Sequence, residues 1–434
     1  MGGSLLQPDT SPALSAWATK TISELGTIIG GSTPRRSVAR YWGGDIPWVT
    51  PGELTGLKTK YLESTRERIT AAGLESCGAS LLPTDALLVT SRATLGSVAL
   101  VRQPTATNQG FKSIVFRPGF NPSFYFHLFH RITGELERRA SGTTFLEVSG
   151  REFGAVRVAV PPFPEQRRIA EILDTLDDVI RKTEQIIAKL KQVKRGLLHD
   201  LLTRGINDNG ELRDPERHPE QFKHTPLGRI PREWKVARLG DVADVDRGKF
   251  THRPRNDPAF YNGAYPFIQT GDIAAARGRV LQTASQTLNE RGAAVSREFP
   301  AGTIAITIAA NIADTTILGV PMYFPDSVVG AIVRRPNNTR FTELCIQQAK
   351  RTLDARAPQS AQKNINLQDL RPLPIPNPSP EEQGRIAEYY NAGLEVLERE
   401  ETSLLKFRLL KAGIMDDLLM GCVRVTPLLE TSAP

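Results

Sequence analysis

Three short motifs in this chain contain residue types found in catalytic or phosphate-binding sites, and each lacks a required part. Gly248-Lys249 fits a phosphate-binding loop only if position 243 is Gly and position 250 is Ser or Thr, but these positions are Ala and Phe. Residues 377–380 (NPSP) depart from the Asn/Asp-Pro-Pro-aromatic site of amino-methyltransferases. Glu233-Trp234-Lys235 supplies half of a nuclease metal site without a partner acid. We therefore predict no catalytic residue.

Metal-binding and nucleophilic sites are also unsupported by the sequence. Cys77, Cys345 and Cys422 are isolated, with no Cys-x-x-Cys pair and no histidine at ligand spacing. The six histidines lack a paired nucleophile signature. We expect this chain itself to bind no metal ion and no cofactor.

Polar loops flanked by Gly, Ser and Pro are the better candidates for function. Reading duplex DNA requires cations for the phosphates, and Arg, Lys, Asn, Gln, Ser or Thr side chains at the base edges. A single charged side chain is more often simply solvated, so the loops are considered as sets. The candidates in the first half are Ser32, Thr33, Arg35, Arg36, Arg40, Thr50, Ser91, Arg92, Asn108, Gln109 and Lys112. Those in the second half are Arg247, Lys249, His252, Arg253, Arg255, Gln269, Asn311, Gln359, Gln362, Lys363 and Asn364.

An internal repeat indicates how such loops are positioned. Residues 165–206 align without a gap to residues 382–423, and fourteen of the forty-two positions are identical. The constant shift of 217 is half of the 434-residue length, so the chain reads as two copies of one unit related by a pseudo-two-fold axis. Such an axis suits a ligand with pseudo-two-fold symmetry, and duplex DNA is one such ligand.

Both copies have the pattern of a long helix with an apolar seam. Apolar residues recur alternately four and three positions apart, which is an a/d heptad pattern, and both copies are interrupted at matching positions, such as Lys194 and Lys411. Pro164 and Pro380 mark the helix starts. We expect the seams to pair antiparallel and to act mainly as spacers. The seam residues are Ile169, Leu173, Leu176, Ile180, Ile187, Leu190, Leu197, Leu201, Ile386, Tyr390, Leu397, Leu404, Phe407, Ile414 and Leu418.

The distribution of charge favours a polyanionic partner. The net charge is +8, and the two helical copies contribute −1 because they carry fourteen basic and fifteen acidic residues. The remaining chain therefore carries +9. No apolar run approaches the length of a membrane span, and residues 1–20 do not resemble a signal peptide, so we expect a cytoplasmic protein without membrane contact.

Before each helix the sequence predicts a mixed α/β globule. Strands are expected at 86–90, 98–102, 113–117, 155–160, 316–320 and 329–334, and helices at 122–139 and 340–354. The predicted fold class is α+β, with two mixed α/β domains separated by two long, antiparallel, coiled-coil-like helices in a pseudo-two-fold repeat.

Several segments have sequences that are typical of one protein family. Residues 226–242 (PLGRIPREWKVARLGDV) resemble the start of a target-recognition domain in the specificity subunits of type I restriction-modification enzymes. Residues 161–173 (PPFPEQRRIAEIL) resemble its passage into a spacer helix, and residues 33–54 and 107–116 resemble its recognition domains. The first half departs from the pattern, because only Trp17 stands where the second half has residues 230–234.

The resemblance implies a non-catalytic DNA reader. In this family, one globule reads each half of a bipartite, asymmetric DNA site, and the helices fix the gap and dock two modification subunits. The modification subunits methylate adenine with S-adenosylmethionine, and restriction subunits, which are motor nucleases, use ATP and magnesium. The implied segments are an N-terminal tail (1–18), target-recognition domain 1 (19–163), spacer helix 1 (164–206), a linker (207–235), target-recognition domain 2 (236–379), spacer helix 2 (380–423) and a C-terminal tail (424–434).

Two other classes of function remain open on sequence grounds. One is a fused or degenerate methyltransferase or nuclease, which methyl transfer or strand cleavage by the purified chain alone would support. The other is a coiled-coil scaffold whose basic globules bind RNA, which competition between RNA and duplex DNA at stated salt would distinguish.

Overall fold

The computed structural model of the chain describes residues 17–92, 94–141, 146–309, 311–356 and 364–430. These residues form two units. Unit 1 comprises Met1–Ile186 with Glu401–Pro434, and unit 2 comprises Ile187–Glu400. Each unit contains one globule, part of the helix that follows it, and part of the other long helix. Sixteen residues of the expected N-terminal tail, 1–16, lie outside the described part of the chain.

Globule 1 (residues 17–160) is built from short strands and few helices. Asn121 caps its helix α4 (Pro122–Arg139), because its side chain accepts a hydrogen bond from the Phe124 backbone amide at 3.1 Å. The elements are β1 (Ala18–Thr21), α1 (Ile22–Leu25), β2 (Gly26–Gly30), β3 (Trp42–Val49), α2 (Pro51–Leu54), β4 (Tyr61–Leu62), β5 (Glu67–Ile69), α3 (Ala71–Glu75), β6 (Leu87–Val89), β7 (Val98–Val101), β8 (Ala106–Thr107), β9 (Lys112–Phe116), α4 (Pro122–Arg139), α5 (Gly150–Ala155) and β10 (Arg157–Val160). The long helix α6 (Phe163–Thr203) follows.

Three sheets organise this globule. A five-stranded sheet has the order β2-β9-β6-β7-β4, a three-stranded sheet has the order β5-β3-β8, and β1 pairs antiparallel with β10. In the five-stranded sheet Leu87 lies opposite both Leu100 and Ile114, and all three side chains are buried. They belong to the same core as Phe124 on α4 and Leu173 on α6, so the long helix is part of the domain core.

Unit 2 repeats this arrangement after an inserted hairpin. Its five-stranded sheet has the order β14-β22-β19-β20-β16, and its second sheet has the order β17-β15-β21-β18. The elements are β11 (Phe222–Thr225), β12 (Gly228–Pro231), β13 (Lys235–Arg238), α7 (Leu239–Val242), β14 (Ala243–Arg247), β15 (Tyr261–Phe267), α8 (Thr270–Ala276), β16 (Val280–Leu281), β17 (Gln286–Leu288), α9 (Glu290–Ala294), β18 (Arg297–Phe299), β19 (Ile304–Thr307), β20 (Thr315–Leu318), β21 (Met322–Phe324), β22 (Val328–Val333), α10 (Thr339–Arg356), α11 (Leu367–Leu370), β23 (Pro374–Asn377) and α12 (Pro380–Leu419). We call residues 234–377 globule 2.

The long helices α6 and α12 pack together, as the seam pattern predicted. All fifteen seam side chains are buried or half-buried. In unit 1, Lys411 contacts Asp177 at 2.5 Å and Arg408 contacts Glu184 at 2.5 Å. As the residue number on α6 rises from 177 to 184, the number of the contacting residue on α12 falls from 411 to 408. The two helices are therefore antiparallel. The α+β fold with two long packed helices is thereby confirmed.

Polar residues in the seam have specific partners instead of leaving gaps. Lys411 pairs with Asp177, and the Lys194 ammonium lies 5.2 Å from the centre of the Tyr390 ring. Thr183 is buried, and its hydroxyl donates to the Val179 carbonyl oxygen at 2.8 Å. Such polar positions favour one register of two helices over others.

A buried glutamine joins each long helix to the globule before it. The side-chain oxygen of Gln166 accepts a hydrogen bond from the Asn121 backbone amide at 2.8 Å, at the start of α4. In unit 2, Gln383 accepts from the Asn338 backbone amide at 2.8 Å, just before α10 begins. Both glutamines are 1% exposed. The globule and its helix are therefore held by hydrogen bonds as well as by apolar packing.

The predicted linker and the predicted C-terminal tail both contain ordered elements. Within residues 207–235 the strands β11 and β12 form an antiparallel hairpin, and Trp234 is buried. Beyond α12, Val425 is buried and residues Thr426–Glu430 form a short helix, α13. Pro, Asn and Gly at turns made these segments look irregular, whereas their few apolar residues pack into the unit cores. Among the residues that the structure describes, no helix combines the length and apolar character needed to cross a membrane.

Candidate nucleic-acid interface

The basic loop of globule 1 connects β2 to β3 and contains Thr33, Arg35, Arg36 and Arg40. Its base is fixed because the Trp48 indole donates to the Ser32 carbonyl oxygen at 3.0 Å. The Thr33 hydroxyl donates to the side-chain oxygen of Gln109 at 2.6 Å. The bond from Thr33 brings a second predicted residue, Gln109, next to the loop, so these members of the predicted set lie together.

Arg36 is less available for contact with DNA than its position in the basic loop suggests. Its guanidinium donates to the Glu67 carboxylate, with one contact at 2.9 Å, and lies 4.1 Å from the centre of the Trp42 ring. Hydrogen bonding from Arg36 lowers the pKa of Glu67, so this carboxylate stays charged. The pair neutralises one loop cation and shapes the loop.

Arg35 and Arg40 remain exposed, and neither has an acidic partner among the described residues. Arg40 lies 5.5 Å from the Tyr41 ring, which orients the side chain without neutralising it. These two arginines are the loop cations best suited to phosphate contact.

We expect Arg40→Ala to make the salt dependence of DNA binding less steep. Loss of one phosphate contact should reduce the slope of log Kd against log salt by about 0.9. The measurement is a titration of duplex DNA at several salt concentrations. Arg138→Ala, an exposed arginine paired with Glu135 on α4, is the control and should leave the slope unchanged. An unchanged slope for Arg40→Ala would exclude this side chain from phosphate contact.

Several other predicted residues of globule 1 have local structural partners. Thr50 precedes α2, and its amide and hydroxyl both donate to the Glu53 carboxylate, at 2.7 and 3.0 Å. The Asn108 side chain accepts from the Gly110 amide at 2.9 Å. Lys112 lies 3.7 Å from Glu147, and Arg92 forms an isolated β-bridge with the same residue. Ser91 is buried, and its hydroxyl has no hydrogen-bond partner within the described ranges.

The basic loop of globule 2 connects β14 to β15 and contains Arg247, Lys249, Arg253 and Arg255. Asp326 restrains two of these arginines. Arg253 contacts the Asp326 carboxylate at 3.1 Å, and Arg255 also pairs with it. Arg247 donates to the Asp326 carbonyl oxygen. Lys249 is exposed. The loop is therefore cationic overall but internally restrained.

An aromatic and amide-lined cleft of about 530 Å³ lies beside this loop. Phe250, Tyr261 and Phe267 form part of its wall, and the predicted residues Arg255 and Gln269 line it as well. Sequence reasoning missed three amide side chains that also line the cleft, which are those of Asn256, Asn262 and Gln286. Asparagine and glutamine can bond two adjacent atoms of adenine in the major groove. Asn256 lies in the loop, Asn262 on β15 and Gln286 on β17, so their proximity could not be read from sequence spacing.

The remaining predicted residues of globule 2 lie before a helix, stack on an aromatic ring, are exposed, or fall outside the described residues. Gln269 precedes α8, and its backbone amide donates to the Asp272 carboxylate at 2.8 Å. His252 stacks on Phe260 with ring centres 3.9 Å apart. Asn311 and Asn364 are exposed. Gln359, Gln362 and Lys363 lie outside the described residues. Within the described ranges, no group of three or more His, Cys, Asp or Glu side chains is arranged to hold a metal ion.

Both halves of the chain are similar in sequence to one known protein family. The family described as "Type I restriction modification DNA specificity domain" matches residues 15–192 and again residues 231–406. The MjaIX specificity subunit of a type I restriction enzyme from Methanocaldococcus jannaschii is 32% identical over 256 residues, covering 58% of this chain and 57% of that protein. The matches to the next two curated relatives span about half of their lengths.

Solved structures show the same fold. The S subunit of a type I restriction-modification system from M. genitalium has a TM-score of 0.57 at 12% identity, covering 96% of this chain and 98% of that one. The HsdS subunit from Thermoanaerobacter tengcongensis has a TM-score of 0.50 at 18% identity, covering 97% and 99%. Because the family match spans both repeats and most of the chain, this protein belongs to the specificity-subunit family of type I restriction-modification enzymes, whose members are the non-catalytic components of those enzymes.

Proposed function

We propose that this chain reads a bipartite, asymmetric DNA site, with globule 1 contacting one half-site and globule 2 the other. The observation that carries the proposal is that two similar scaffolds present differently composed basic loops. Globule 1 presents Arg35 and Arg40, whereas globule 2 presents a restrained arginine cluster beside a cleft with four amide side chains. Different side chains at equivalent loops suit two unlike half-sites. In domain terms, the target-recognition domains are residues 19–163 and 236–379.

We also propose that helices 164–206 and 380–423 fix the half-site gap and dock two modification subunits. In the assembled complex, these subunits supply adenine methylation from S-adenosylmethionine, and restriction subunits supply ATP- and magnesium-dependent cleavage. The cytoplasm, where the DNA lies, is the expected location.

Methylated adenines mapped across the genome, with and without this gene, test the proposal. We expect one two-part, asymmetric motif to lose its methylation when the gene is removed and the modification gene is kept. If every methylated motif persists, the chain does not confer DNA specificity.

Exposed apolar side chains on the helices support the docking role. In unit 2, Val193, Tyr389 and Val396 each immediately precede an a or d position of the seam, and in unit 1 Ile186 and Leu410 do the same. These five side chains are between 40% and 55% exposed. They border the seam without entering it, so the packing of α6 on α12 leaves them available to a partner.

We expect the double substitution Val193→Ser and Tyr389→Ser to weaken binding of the modification subunit. Two apolar side chains that become buried on docking contribute about 2–3 kcal/mol, which corresponds to a loss of roughly 30–150-fold in affinity. Calorimetric titration with purified modification subunit measures the change. Arg399→Ser, an exposed polar position on α12, is the control. Equal affinity for the double variant and the control would place docking elsewhere.

A further inference from the structure

Two buried glutamates, Glu165 and Glu382, lie in the first turns of the long helices and are 217 residues apart. In unit 2 the Glu382 carboxylate accepts hydrogen bonds from the Ile206 amide at 3.0 Å and the Trp234 indole at 3.0 Å. Arg213 donates to the same carboxylate at 2.5 and 3.3 Å. Glu382 is 4% exposed. One carboxylate therefore joins the end of α6, the hairpin segment, the start of globule 2 and the start of α12.

The end of α6 fits this carboxylate closely at Gly205. This residue has a φ of +66°, which favours glycine. A Cβ atom placed there would lie 2.4 Å from both the Glu382 carboxylate and the Trp234 ring. Neither neighbour is free to move, since each is buried. The backbone conformation of Gly205, the lack of space for a Cβ atom there and the bond between Arg213 and Glu382 therefore all favour one arrangement of this joint.

Unit 1 contains a related joint with fewer bonds. Glu165 is 3% exposed, and Arg424 donates to it at 2.9 and 2.5 Å. Gly421, with a φ of +69°, ends α12 against the Trp17 ring. The Trp17 indole nitrogen is buried and has no hydrogen-bond partner within the described ranges. The unit 1 joint therefore lacks the tryptophan–carboxylate bond that unit 2 has.

We propose that Glu165 and Glu382 are positioning residues that set how strictly the half-site gap is read. Each joint fixes the end of one spacer helix to the start of a globule and to the start of the other helix. Charge-assisted bonds in a buried site resist reorientation more than apolar contacts, which are not directional. A weakened joint allows the globule to tilt on its helix, so DNA with a gap one base pair too short or too long becomes acceptable. This inference rests on the proposed bipartite reading of DNA.

The difference between the joints provides a matched pair of variants. Trp234→Phe removes a hydrogen bond to Glu382, whereas Trp17→Phe removes no hydrogen bond to Glu165. Both substitutions delete a similar volume from a buried site. Their difference in effect therefore reports the bond and not the loss of packing.

The experiment uses the full chain assembled with modification subunits and three duplexes, with the native gap, one base pair fewer and one base pair more. The readout is the ratio of Kd on an altered gap to Kd on the native gap. We expect Glu382→Gln to reduce this ratio on the order of tenfold and Trp234→Phe several-fold, and Trp17→Phe to leave it unchanged. Glu216→Gln, which alters an exposed ion pair with Arg229, is the control and should match the wild type.

A uniform loss of affinity on all three duplexes would show a purely structural role and overturn the inference. Equal ratios for Trp234→Phe and Trp17→Phe would overturn it as well. If Glu382→Gln prevents assembly, the two tryptophan variants decide the question. A wild-type complex with no sequence preference would instead overturn the proposed function, so the two failures are distinguishable.

Discussion

Replacing residues 19–160 with the equivalent segment of another specificity subunit is expected to change one half of the methylated DNA motif and leave the other half unchanged. The segment contains nearly all of β1 and the whole of β10, so the pair that closes globule 1 is transferred together. The five-stranded and three-stranded sheets of globule 1 are complete within it. Genome-wide methylation mapping measures both halves of the motif in one experiment.

The reciprocal exchange of residues 236–377 is the matched control and should change only the other half. In the exchange of residues 19–160, the donor segment must present an apolar α4 face, because Phe124 shares a core with Leu173 on α6. A motif that changes in both halves after a single exchange would contradict one-globule, one-half-site reading. Circular dichroism of the chimaera excludes loss of fold as the cause of an altered motif.

Inserting one heptad into both long helices is expected to lengthen the half-site gap by about three base pairs. Seven helical residues add about 10.5 Å at 1.5 Å each, and B-DNA rises 3.4 Å per base pair. The insertion points are between Ile186 and Ile187 and between Glu400 and Glu401, where the two units divide. Affinity should also fall, because three base pairs turn the duplex by roughly 100°. Methylation mapping determines the new gap.

An insertion in α6 alone is the control for this experiment. It leaves seven residues without a partner in α12 and shifts the seam, including polar pairs such as Lys411 with Asp177. We expect that variant to fail to assemble with modification subunits. A doubly inserted protein that keeps the original gap would show that the helices do not determine the distance.

Much of the fold was predictable because it depends on local patterns. The strand predicted at 98–102 is observed as β7 (Val98–Val101), and the helix predicted at 122–139 is observed as α4 (Pro122–Arg139). Heptad spacing identified the seam because its apolar residues repeat within a single helix. The joints were not predictable, since Glu382 meets Trp234 and Ile206 across 148 and 176 positions of sequence.

The candidate interface shows the same division between local and distant information. Thr50-Pro51-Gly52-Glu53 matches a helix-capping pattern, a signal that was available in the sequence and that explains the contacts of Thr50. The pairing of Arg36 with Glu67 depends on strands β3 and β5 meeting, which no short motif encodes. The amide side chains in the cleft of globule 2 come together in the same way.

The division of unit 1 between both ends of the chain bears on its synthesis. Its core includes Leu173 on α6 and Leu418 at the end of α12, which are 245 residues apart. At about 5–20 residues per second, a ribosome needs about 12–50 s to add the second after the first. During that time the apolar face of α6 in the nascent chain lacks the α12 side chains that pack against it in the folded protein. Unit 1 is therefore the first to begin emerging and the last to complete its core, and chaperones are expected to bind the exposed face of α6 in the meantime.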